Sequence, residues 1–172
     1  MEYYHFGMDI GSRAVRRVLM QKAREGVKVR FINENIANFP IPNGYFYAMR
    51  RAGVEGRNFT NTGFSLLRFL LSLSYRDHRK IVVIDGRIGY TGGMNINDHY
   101  FRQWRDTHLR FMGHAVAHLQ YAFLDTWLAC KGKINEPLSY FFKMRQQIPL
   151  GDLLTQITPD DPTSPSPVLQ TA

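Results

Sequence analysis

Four consecutive β-branched residues, Ile81-Val82-Val83-Ile84, stand between the charged triplet His78-Arg79-Lys80 and the turn pair Asp85-Gly86. A continuous apolar run this short, bounded on both sides, is the pattern of a buried strand. Asp-Gly is a tight-turn pair, so Arg87 to Tyr90 should return as the antiparallel partner. Any fold for this chain must be built around that hairpin. Upstream, residues 2–6 read as a short strand. Asp9 to Arg24 has helical spacing, with Ile10, Ala14, Val15, Val18 and Leu19 as the apolar face and Gly26 as the stop. Val27 to Ile32 alternates apolar and basic residues, as a half-buried strand does. Pro40, Pro42, Asn43 and Gly44 mark a loop. Tyr45 to Ala52 reads as a short helix closed by Gly53, and Val54 to Phe59 as a strand. Strand, helix, strand, helix, strand signals an α/β sheet with crossovers. Downstream, Trp104 to Met112 reads as a further strand. Ala115 to Ala129 reads as a long helix with Val116, Leu119, Phe123, Trp127 and Leu128 on its buried side. The expected fold class is α/β, a mixed, largely parallel β-sheet flanked by helices.

Composition narrows what such a sheet could serve. The 172 residues suit one domain with a sizeable core, and 44% hydrophobic with 21% charged residues excludes disorder throughout. A single cysteine, Cys130, excludes a disulfide framework, a cysteine zinc site and an iron–sulfur cluster. The net charge is +8, and only the acids Asp152, Asp160 and Asp161 follow the last basic residue, Arg145. The basic excess before Arg145 favours an anionic partner: nucleic acid, acidic lipid headgroups or phosphorylated small molecules. No run of about 18 apolar residues exists, so nothing in the sequence reads as a membrane span. The N-terminus lacks the basic and apolar segments of a secretion signal. The densest apolar stretch, Phe64 to Leu73, is broken by Arg68 and reads as core, as an interface or as an acyl-chain surface. His114 and His118 have a spacing that zinc can use, but no third ligand accompanies them.

The chemistry-bearing residues cluster around the hairpin. His78 and Lys80 are two apart, so on an extended segment they point the same way. Asp85 sits at the turn beyond the apolar run. Gly92-Gly93 allows close approach of other groups, and Asn95 supplies an amide. An imidazole, an ammonium, a carboxamide and backbone donors at a glycine turn make a candidate phosphate site. His78 is the one group there suited to act as a nucleophile near neutral pH.

The spacing His78-x-Lys80-x4-Asp85-x6-Gly92-x-x-Asn95 resembles the HKD motif of the phospholipase D superfamily. The flanks, Tyr75-Arg76-Asp77 before it and Gly92-Gly93-Met94-Asn95-Ile96 after it, resemble the first HKD region of bacterial cardiolipin synthases. So do Trp104-Arg105-Asp106-Thr107-His108 and Leu119-Gln120-Tyr121-Ala122-Phe123. The likeness spans roughly residues 2–160 and implies one lobe of the phospholipase D fold. It implies catalytic roles for His78, Lys80 and Asp85: attack on phosphorus, charge balance and support of a catalytic histidine. Asn95, Gly92 and Gly93 would bind the substrate phosphate. It implies no metal and no cofactor. The implied substrate is anionic phospholipid, with phosphatidylglycerol as donor and acceptor, at the cytoplasmic side of the bacterial inner membrane.

The sequence holds one His-x-Lys only, whereas that family builds its site from two HKD motifs. Residues 1–150 therefore read as a single lobe. Residues 151–172 read as the start of a second lobe, running into a Pro/Ser-rich tail from Pro159 to Pro167. The partner lobe would come in cis from a parent protein or in trans from a homodimer. The alternative function is a single-HKD phosphodiesterase or nuclease acting on nucleic acid as a homodimer. A third reading is a catalytically dead binding module.

Overall fold

The structure, a computed structural model, describes residues 1–59, 76–142, 155, 157 and 158. Six strands form one sheet in the order β3-β2-β1-β4-β5-β6. They are β1 (Glu2–Tyr3), β2 (Arg30–Glu34), β3 (Glu55–Phe59), β4 (Ile81–Ile84), β5 (Ile88–Gly92) and β6 (His108–Met112). Among the described residues five helices accompany them: α1 (Ile10–Arg24), α2 (Asn43–Arg51), α3 (Asp98–Arg102), α4 (Ala115–Ala129) and α5 (Leu138–Phe141).

The sheet is mixed, as expected, but parallel pairing does not predominate. β1 pairs β2 and β2 pairs β3 in parallel, whereas β4 meets β1, β5 meets β4 and β6 meets β5 antiparallel. The helical crossovers at α1 and α2 set the first half, and the hairpin sets the second, because a tight turn can join only antiparallel strands. This arrangement aligns strand ends of opposite sense along one edge. The C-terminal ends of β1, β2, β3 and β5 lie there beside the N-terminal ends of β4 and β6.

Alternation along the strands divides the core in two. On one face Tyr3, Phe6, Phe31, Met49, Val54 and Ile96 pack with Val15, Leu19 and Met20 of α1 and with Tyr45 and Phe46 of α2. On the other, Ile32 and Ile81 pack with Leu119, Phe123 and Trp127 of α4 and with Phe141 of α5. Trp127 and Phe6 are each 0% exposed. Truncating a side chain of this kind costs about 3–5 kcal/mol. The Trp127 indole also donates to the Lys133 carbonyl at 3.1 Å, so its polar edge is satisfied.

Several expectations need correction. α1 is rotated from the expected face: Val15, Leu19, Met20 and Ala23 face inward, and Ile10 and Val18 are exposed. The cause lies at the helix start, where buried Ser12 donates to the Ile96 carbonyl at 2.8 Å and fixes the roll of the helix. Leu128 is also exposed, one step around α4 from Trp127. In β4 only Ile81 is buried, and Ile84, at the turn end, is exposed. β6 begins at His108 rather than Trp104, and Trp104 is 57% exposed, stacked near His99 and Tyr100 of the α3 region. Cys130 is half-buried, and burial pushes its thiol up to about 11, which makes it unreactive near neutral pH. The Phe64–Leu73 stretch and the Pro159–Pro167 tail lie outside the described residues.

Candidate active site

His78 and Lys80 lie on the extended segment that leads into β4, at the edge where the strand ends gather. Alternation turns Asp77 and Arg79 toward α4 and leaves His78 and Lys80 on the other side. Arg79 Nε lies 3.0 Å from Glu2 Oε1 and 3.1 Å from Asp77 Oδ1, and its Nη2 donates to Thr126 Oγ1. Glu2 is 1% exposed. Burial, followed by the neighbouring Asp77 carboxylate, raises its carboxyl well above the usual range. This buried acid–guanidinium cluster anchors the segment from below and fixes which way His78 and Lys80 face.

Above it, Lys80 is 2% exposed. Its Nζ donates to the His78 carbonyl at 2.7 Å and stands 3.0 and 3.1 Å from the two ring nitrogens of His78. The His78 imidazole itself is exposed. Burial, then the Lys80 charge, pull its pKa below the usual histidine value, with Asp77 opposing. The ring is therefore neutral at pH 7, with a lone pair available for attack. Burial pushes the Lys80 ammonium down to about 8, against the opposing pull of Asp77 and Asp106. At neutral pH it remains mostly charged and can hold an anionic oxygen beside the imidazole.

Asn95 is buried at 5% exposure, and its Oδ1 accepts from the His5 amide at 3.2 Å. That bond orients the carboxamide and leaves its Nδ2 without a partner among the described residues. The two glycines admit other groups closely, as their residue type allows. The Gly93 amide is spent on the Thr107 carbonyl at 3.1 Å. A Cβ on Gly92 would overlap the Thr107 carbonyl, and one on Gly93 would overlap the Asp106 carboxylate. Their contribution is close approach: they admit the 106–108 segment, and Asp106 with it, to the site edge.

Asp85 is not brought to His78. It occupies the hairpin turn at φ +56°, beyond the whole length of β4. At about 3.3 Å per residue, the five steps from Lys80 to Asp85 span roughly 16 Å. Asp85 therefore cannot orient His78 within this chain. Its residue type suits the turn, because aspartate tolerates the left-handed conformation better than most. The carboxylates whose charge does reach the His78–Lys80 pair are Asp77 and Asp106.

Three neighbours join the pair; the sequence reading placed Asp106 and His108 only on a segment near the site, and did not name Tyr4. The Tyr4 ring lies 4.6 Å from that of His78 and 5.2 Å from Lys80 Nζ, and its hydroxyl accepts from Arg76 at 2.8 Å. His108 carries a buried Nδ1 with no hydrogen-bond partner among the described residues. Burial lowers its pKa, with Asp106 and Lys80 pulling in opposite directions. Asp106 is the third. The signal for Tyr4 was its place just past β1, at the edge His78 occupies. That signal appears only once the strand order is known. His114 and His118 are both exposed, and no three His, Cys, Asp or Glu side chains among the described residues group as metal ligands.

Residues 1–127 match the family described as cardiolipin synthase, phospholipase D-like domain. A cardiolipin synthase of Geobacillus kaustophilus is 41% identical, over 77% of this chain and 27% of its own length. Cardiolipin synthase 1 of Bacillus cereus is 37% identical, over 87% of this chain and 30% of its own. The chain thus spans between a quarter and a third of the length of these relatives. Among solved structures, Nuc, a phospholipase D family member from Salmonella typhimurium, superposes with a TM-score of 0.55 at 16% identity, over 76% of this chain and 75% of Nuc. NucT from Helicobacter pylori also gives 0.55 at 16% identity, over 75% and 77% of the two chains. These two neighbours share the fold, and the sequence relatives carry the closer relationship: the chain belongs to the cardiolipin synthase family of phospholipase D-like domains.

Proposed function

We propose that this chain supplies one half of an active site for phosphatidyl transfer through a phosphohistidine, with phosphatidylglycerol as both donor and acceptor. One observation carries the reading: an exposed His78 imidazole held 3.0 Å from the buried Lys80 ammonium. A ring nitrogen of His78 attacks the donor phosphorus, a P–N bond forms, and the P–O bond to glycerol breaks. The leaving oxygen takes its proton from a general acid on the partner lobe. A hydroxyl of the second phosphatidylglycerol then attacks the phosphorus, gives its proton to that same group, and breaks the P–N bond. Cardiolipin and glycerol are the products. Lys80 and Asn95 hold the phosphoryl oxygens and balance the charge of the transition state. Asp106 and Asp77, rather than Asp85, are the carboxylates that tune the pair.

The partner lobe is a second HKD lobe of a parent protein at the cytoplasmic side of the bacterial inner membrane. Among the described residues, no helix is long and apolar enough to cross a membrane. The second reading, a homodimeric phosphodiesterase or nuclease, is favoured by the match to Nuc and NucT over three quarters or more of those chains. The test is a paired assay of phosphatidylglycerol turnover and DNA cleavage, with His78→Ala as control. It is run on this chain alone and together with a second HKD lobe. Lipid turnover that needs both the added lobe and His78 is expected. DNA cleavage by the chain alone, lost in His78→Ala, overturns the lipid reading.

A further inference from the structure

A second cavity, of about 330 Å³, opens at the same edge of the sheet as His78, beyond the C-terminal ends of β2 and β3. Crevices outside the carboxyl ends of parallel strands are where α/β sheets bind ligands. Its polar lining is dominated by carboxamides: Asn33, Asn35, Asn38, Asn43 and Asn58 contribute, with Arg50 as the one charged residue among the described ones. Asn33 and Asn58 sit opposite each other in the parallel register of β2 and β3, so they share a face. That face also carries Phe31, packed beneath α1 and α2. Lys80 shares it too, since it is in phase with Val82 of the same core.

Asn33 is 3% exposed and lines the cavity. A carboxamide at the wall of an open polar cavity offers a ligand both a donor and an acceptor. Asn38 ties this cavity to the reacting groups. It accepts from the Phe6 amide at 2.8 Å and donates to the Tyr4 carbonyl at 2.9 Å and the Glu34 carbonyl at 2.6 Å. The ring of that same Tyr4 lies 4.6 Å from His78. One residue thus stands between the cavity wall and the candidate nucleophile.

We infer that this asparagine-lined cavity binds an uncharged polyol, the glycerol-type headgroup of the alcohol that enters or leaves at His78. The inference rests on the phosphatidyl-transfer reading for the role of the ligand, though not for its chemistry. A carboxamide is neutral and offers both donor and acceptor, as a hydroxyl does, so an array of them matches adjacent hydroxyls. Among the described residues the lining has one arginine and no acid, so it offers little charge to a phosphate or to an ammonium.

The test titrates the full chain with glycerol, 1-propanol and inorganic phosphate, reading asparagine side-chain NH2 resonances by NMR. Glycerol is expected to shift the Asn33 and Asn35 signals, and 1-propanol and phosphate to leave them in place. Asn33→Leu should weaken glycerol binding at least tenfold, and His78→Ala should leave it unchanged, which separates this site from the phosphoryl-transfer chemistry. Asn35→Ala, at a half-buried position, replaces Asn33→Leu if that variant does not fold. Shifts from phosphate but not glycerol, equal shifts from 1-propanol, or glycerol binding that survives the substitution would each overturn the inference.

Discussion

The Lys80 ammonium helps to set the charge state of the His78 imidazole. Lys80 is nearly inaccessible, and its closest polar contacts are the carbonyl and the ring nitrogens of His78. The positive charge disfavours a second proton on the ring, which adds to the effect of burial. Lys80→Met removes that charge while keeping the apolar stem. The His78 pKa should then rise toward the ordinary histidine value without passing it, because the desolvation remains. Imidazole proton shifts followed from pH 4 to 8 in both proteins check this, and an unchanged or lowered midpoint would refute the coupling. The positive end of the pair has its own limit: with Lys80 near 8, its charge is lost as the pH climbs through that value. Both residues were singled out from the whole spacing through Asn95, because a His-x-Lys pair alone is common. The motif groups Asp85 with them by sequence, whereas four residues of strand lie between. Tyr4 was hidden because it comes from a segment brought near only by strand order.

The elements themselves followed from local pattern, and their orientations did not. The hairpin was plain in Ile81 to Tyr90, and α4 fell on the expected residues, Ala115–Ala129. Both signals are local: a turn pair between apolar runs, and a long run of helix formers. The roll of α1 was not readable, because it depends on Ser12 reaching the Ile96 carbonyl, 84 positions away in the chain. Trp104 was read into a strand on aromatic character. It sits instead in an aromatic cluster with His99 and Tyr100 that only the α3 turn creates. Long-range packing also bears on the hairpin turn. Gly86 has φ +65°, and a Cβ there would lie 2.6 Å from the Phe141 carbonyl. Alanine would meet both the left-handed backbone and the α5 backbone, which cannot swing aside as a side chain could. Gly86→Ala should cost about 1–3 kcal/mol, measured by urea unfolding. The lysine–histidine coupling at the other end of β4 should persist, since the strand separates the two ends. A stability within 0.5 kcal/mol of the parent would mean that α5 does not pack on the turn as described.

For the molecule as a whole, the sheet gathers His78, Lys80 and Asn95 along one edge, and the proposed chemistry needs a second histidine from elsewhere. Half-sites of this kind can be completed in two ways that differ in a countable property. If the second lobe is a different segment, each functional unit contains one copy of His78. If two copies of this chain pair across a two-fold axis, each unit contains two, one acting as nucleophile and one as general acid. Mixing wild-type chain with His78→Ala at constant total concentration separates the cases. With a separate second lobe in excess, activity should fall in proportion to the wild-type fraction, so an equal mixture keeps about half. In a homodimer that needs both histidines, only dimers with two wild-type subunits turn over, and after random re-pairing an equal mixture keeps about a quarter. The proportional result is expected here, because the family relatives are three to four times as long as the region they share with this chain. That extra length gives room for a lobe of different sequence. A square-law loss, seen with the chain alone and no added lobe, would move the second histidine onto another copy of the same edge and make the homodimer the working enzyme.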